Sequence, residues 1–109
     1  MADGHPVIND ATLRMQAQKE VRRRLKFPDN ADFHMFSQTV FYEGNGMWLI
    51  KGKVDAKNAL GLTLTQRYEC EFRYAGPPAP DVRSSFANRN SLELTLVLLG
   101  DDVLFLDSN

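Results

Sequence analysis

Apolar residues near the start of the chain recur at every fourth position. Leu13, Ala17, Val21 and Leu25 fall on one stripe, which predicts a helix over 9–26, "NDATLRMQAQKEVRRRLK". Asn9 and Asp10 suit its N-cap. Asp10 at the start and Arg22, Arg23, Arg24 and Lys26 at the end match the helix dipole. Pro28 stops the helix, because the residue before a proline avoids helical dihedrals. "PDNADF" then reads as a compact turn held by Asp29 and Asn30, with Phe33 dropping back onto the core.

Beyond it the period changes from near four to two. Met35 to Glu43 is a strand rich in Phe, Thr, Val and Tyr, and Met47 to Lys57 is its return. Between them lies "EGNG", whose Asn45-Gly46 pair is a strong hairpin signal because both turn positions need positive φ. In Leu62 to Tyr74 the alternation is strict: Leu62, Leu64, Gln66, Tyr68, Cys70, Phe72 and Tyr74 on one face, Thr, Arg and Glu on the other. "VDAKNALG" (54–61) must turn the chain between these two strands, with Gly61 supplying a positive φ and Asn58 bonding to the turn backbone. Residues 75–91, with three prolines and one glycine, read as a long loop. Leu92 to Leu99 and Val103 to Leu106 are the last strands, joined by Gly100-Asp101-Asp102.

One helix followed by four or five antiparallel strands implies an α+β fold. The stripe needs an apolar surface, and the one-sided sheet supplies it. The expected architecture is a single domain of two layers, the N-terminal helix laid across a curved sheet, as in cystatin-like folds, with residues 1–8 flexible. That topology carries no function.

Composition narrows the chemistry. The 109 residues suffice for one small domain, and 43% hydrophobic and 25% charged residues are ordinary for a soluble one. A net charge of −1 points to neither nucleic acid nor membrane, and no apolar run approaches a membrane span. The N-terminus "MADGHPVIND" lacks the apolar core of a signal peptide, so a cytoplasmic location is expected, or a periplasmic one if a leader has been removed. A single cysteine, Cys70, excludes an internal disulfide. With His5, His34 and Cys70 as the only His or Cys ligands, no metal motif forms, and neither a catalytic constellation nor a cofactor loop is expected. Cys70 lies between Tyr68 and Phe72 on the apolar face and reads as buried and inert.

Charge is uneven, with six basic residues against one acid over 11–27 and four acids with no base over 90–109. A protein partner facing this polarised surface is one reading, and internal compensation is the other. For a partner, the candidate residues are Arg83, Phe86 and Arg89 in the long loop, Lys57 and Asn58 in the turn, and Tyr42 and Trp48 flanking the hairpin. Cross-strand packing explains the two aromatics equally well. A nucleic-acid patch at Arg22, Arg23, Arg24 and Lys26 is an alternative, although no aromatic sits among them to stack on bases. A third reading is a small hydrophobic-ligand carrier with a pocket lined by Tyr68, Phe72 and Trp48.

Val21, Leu25, Lys26, Pro28, Ala31 and Phe33, followed by Gly52, Val54, Ala56, Lys57, Asn58 and Gly61, spell "V…LK.P..A.F … G.V.AKN..G". This resembles a pattern in small uncharacterised bacterial and phage proteins. The resemblance implies a small α+β domain from a bacterium or a mobile element, and no enzyme activity. The combined expectation is a non-enzymatic protein acting by protein–protein contact, in its most concrete form a phage-encoded inhibitor of a host defence complex of the anti-CRISPR type.

Overall fold

The computed structural model describes residues 8–75 and 92–107. Helix α1 (Asp10–Arg22) leads into two short 3-10 turns (Pro28–Asn30 and Met35–Ser37). Six strands make one open antiparallel sheet: β1 (Asp32–Phe33), β2 (Thr39–Gly44), β3 (Met47–Lys57), β4 (Thr63–Tyr74), β5 (Leu92–Leu99) and β6 (Asp102–Leu106). The strand order is β1-β3-β4-β5-β6, with β2 also pairing with β3. The two-layer α+β architecture is therefore as the pattern implies, with a sixth strand. The addition is β1, two residues in the segment that reads as a turn, pairing Phe33 with Val54.

Asn9 caps α1, its side chain accepting from the Ala11 N–H at 2.7 Å. Ile8, just before the cap, and Leu13 both sit in the core, the spacing of a hydrophobic staple. Ile8 thus corrects the expectation that the first eight residues are flexible; residues 1–7 lie outside the described residues. The helix stops at Arg22 rather than Lys26. The Arg24 guanidinium donates to the Glu20 carbonyl at 2.9 Å, the acceptor its own N–H would use in an α-helix. That N–H turns to Val21 instead, and Leu25 N–H to Arg22, so the last turn tightens.

Leu13, Ala17 and Val21 meet Trp48, Ile50 and Val54 of β3, Tyr68, Cys70 and Phe72 of β4, and Val97 and Leu99 of β5 in one core. Gly52 lies directly opposite Tyr68, whose ring covers it. The Tyr68 hydroxyl accepts from Gln38 Nε2 at 2.8 Å in the interior. The hairpin forms on Asn45 and Gly46, with φ of 56° and 76°.

The helix of 13 residues is about 20 Å long, whereas the 12 residues of β4 extend about 40 Å. One layer cannot cover the other. The excess lies at the far end of β3 and β4, and the candidate site is there.

Candidate functional site

β5 pairs with β4 only from Tyr68 onward, and β1 pairs with β3 only at Val54 and Asp55. Asp55–Thr65 is the last pair flanked by β1, and two further pairs, Ala56–Leu64 and Lys57–Thr63, carry the two strands onward to the 58–62 turn. Beyond the body the molecule thus has a short two-stranded arm. The open edge of the arm, Thr63–Gln66, has no strand partner among the described residues.

The turn at the tip is built by Asn58. Its side-chain oxygen accepts from the N–H groups of Leu60 (2.9 Å) and Leu62 (3.1 Å), while its backbone bonds both ways with Gly61 and Leu62. Gly61 supplies the left-handed φ of 81°. The chain therefore turns at 58–62, and Asn58 is the brace of that turn. Its neighbour Lys57 is exposed, and no ion pair of it is seen among the described residues.

What the turn presents is apolar. Leu60 is 83% exposed, Leu62 58% and Leu64 46%. Leu62 and Leu64 continue the inward face of β4, but no helix lies beneath them. Three exposed leucines are thus displayed at and beside the end of the ribbon. A second exposed pair, Met35 and Phe36, lies in the turn before β2, where Gln18 Nε2 reaches Met35 Sδ at 3.3 Å.

The outer face of the same strands, opposite the helix, is cationic at the root of the arm. Lys53 stands directly across from Arg67, and Lys51 across from Glu69. They rim a hollow of about 230 Å³ whose remaining lining comes from Ser37, Gly52 and Tyr68. Toward the hairpin the face turns acidic. Burial, and then the adjoining Glu71, push the Glu43 carboxyl above its ordinary range.

Beside the hollow, Asp55 accepts from Thr65 Oγ1 and pairs with His34 Nε2 at 2.9 Å. These contacts, Thr65 first, hold the Asp55 carboxyl below its ordinary value of 3.8. Because the folded pKa is the lower one, the stabilisation is present above 3.8 and is lost as pH falls through the folded value. Asp55→Asn should therefore lower the urea midpoint at neutral pH, with the difference from the unaltered protein shrinking at acid pH. The carboxylate sits between histidine and hydroxyl, so His34 does not activate Thr65 as a nucleophile. Cys70 is on the opposite face, its thiol 3.6 Å from the Ala17 carbonyl and pushed up to about 12 by burial.

The other candidates fall elsewhere. Trp48 is 4% exposed and packs on Tyr42 with ring centroids 5.2 Å apart. It is corrected from a partner contact to a core residue. Its even position in β3, shared with Ile50 and Val54, is the signal that places it inward. Tyr42 bonds the turn, its hydroxyl accepting from the Gly46 N–H at 2.8 Å. At the basic helix end, Arg22 lies over the Phe33 ring and donates to the Pro28 carbonyl, and Arg24 pairs with Glu20 at 2.7 Å and lies over Phe105. Arg23 stands 3.5 Å from Glu20, and Lys26 is exposed. Tyr68, Phe72 and Trp48 are buried in the core, and Tyr68 also contributes to the lining of the hollow. Arg83, Phe86 and Arg89 lie outside the described residues.

Among the described residues no group of three or more His, Cys, Asp or Glu is placed to hold a metal ion, and no helix is long and apolar enough to cross a membrane. Comparison with protein-family models, curated proteins and solved structures yields no match. The geometry defines a two-layer α+β domain with a projecting, apolar-tipped arm.

Proposed function

We propose that the protein is a non-enzymatic binding module that acts by stoichiometric contact with another protein, and that the β3–β4 arm is its docking element. The observation that carries this is the display of Leu60, Leu62 and Leu64 at the end of a ribbon that no other described strand extends along. A two-stranded ribbon adds little stability by itself, and exposed leucines lower solubility. A partner that buries the tip gives both features a purpose. It would offer an apolar cleft with an acidic rim to meet Lys57.

The most specific form of this reading is a phage-encoded inhibitor of a host defence complex, of the anti-CRISPR type, working in the cytoplasm of a bacterium or infected cell. It is supported by the two-layer α+β fold and by the resemblance pattern, whose second half, Gly52 to Gly61, lies in β3 and the tip turn.

Tagged protein passed over host lysate should retain a discrete partner in stoichiometric amount. The Leu60→Asp/Leu64→Asp variant should weaken that retention about 10- to 100-fold, since central apolar anchors dominate interface energy. Its thermal midpoint should stay near that of the unaltered chain, because neither residue is in the core. Retention of nothing above background, or equal retention by the variant, would contradict the proposal.

A further inference from the structure

Like charges directly opposite on adjacent strands repel. Lys53 and Arg67 face one another in this way, and no carboxylate among the described residues pairs with either. The nearest acid along the face, Asp55, is taken by His34 and Thr65. Glu69 stands across from Lys51, and Glu43 also acts on Lys51 from the hairpin side, so Lys53 and Arg67 are the cations of the hollow left without a carboxylate. Ser37 adds a hydroxyl at the rim. Arginine's planar fork and lysine's point charge suit phosphate oxygens. On the same outer face Phe41 is 48% exposed, with Lys51 Nζ 5.8 Å from its ring centroid. An exposed aromatic ring next to clustered cations is the pairing that binds single strands: bases stack while phosphates are neutralised.

We propose that the outer face of β3 and β4 at the root of the arm binds a single-stranded nucleic acid. Lys51, Lys53 and Arg67 hold adjacent phosphates, and Phe41 stacks a base. The surface is distinct from the leucine tip, so either can fail without the other.

The test is fluorescence anisotropy of a labelled oligothymidylate of roughly 12 nucleotides. The full chain should bind it, with a log–log salt slope of about −2 for three phosphate contacts, and about −0.7 after Lys53→Gln/Arg67→Gln. That variant should bind at least tenfold more weakly and melt no lower than the unaltered protein, since the repulsion is relieved. Phe41→Ala should weaken binding about tenfold through lost stacking. An Arg22→Gln/Arg23→Gln control should bind nearly as the unaltered chain does. Absence of binding at about 50 mM salt would overturn the proposal. So would equal loss in the helix-end control, or displacement by polyglutamate as effective as by unlabelled oligonucleotide, which would mark an acidic-peptide site.

Discussion

Gly52→Ala is expected to destabilise the protein by about 3 kcal/mol, combining an overpacked core with a disturbed buried hydrogen bond. A Cβ built at Gly52 would lie 2.5 Å from the Tyr68 hydroxyl, 2.6 Å from Cζ and 2.8 Å from Cε2. The ring cannot step aside. Tyr68 is 1% exposed, meets Phe33 edge-on at 5.6 Å, and is tied through its hydroxyl to Gln38. Either β3 and β4 separate locally or the ring leaves its rotamer, and both disturb the Gln38 bond. Chemical denaturation should show the midpoint falling with an unchanged slope. Tyr68→Phe in the same background should recover part of the loss, because it removes the closest contact. A fully additive pair of substitutions would show that ring and glycine do not compete for space.

Trp48→Ala should cost about 4 kcal/mol, the range for a large aromatic removed from a core. Stability of a small domain is about 5–15 kcal/mol, so the variant would lose roughly a quarter or more of it. The sequence leaves two roles open for this residue, a partner anchor at the hairpin or a packed cross-strand aromatic. They make opposite predictions. A surface anchor could be truncated with an unchanged melting temperature and lost binding. A core residue loses stability first. The 4% exposure and the packing against Tyr42 place it with the second, and thermal melting monitored by circular dichroism reads the difference directly.

Much of the fold is legible in local chemistry. The alternation through Leu62–Tyr74 gives the inward face of β4, Asn45-Gly46 gives the hairpin, and Asn58 with Gly61 gives the tip turn. These features depend on residues close in the chain, where steric and hydrogen-bond rules are strong. The features that escape local reading depend on register and relative length. Once the 58–62 turn is fixed, antiparallel pairing places Lys53 opposite Arg67, yet nothing in either strand alone shows it. The arm arises because β4 is about twice as long as the helix that covers it, and because β5 begins its pairing only at Tyr68. At the early end of α1 the Arg24 guanidinium takes the Glu20 carbonyl, a contact invisible to helical periodicity. Strand β1 escapes because two residues hold no period.

On the proposed function, a partner sits on the leucine tip of the arm. Photo-crosslinking in host cells tests it most directly, with p-benzoylphenylalanine placed at Leu60, at Leu62, or at Arg23 on the exposed end of the helix. Irradiation should yield one discrete heavier adduct from positions 60 and 62 and none from 23. Adducts of equal strength from all three positions, or from 23 alone, would contradict the assignment of the arm as the docking element.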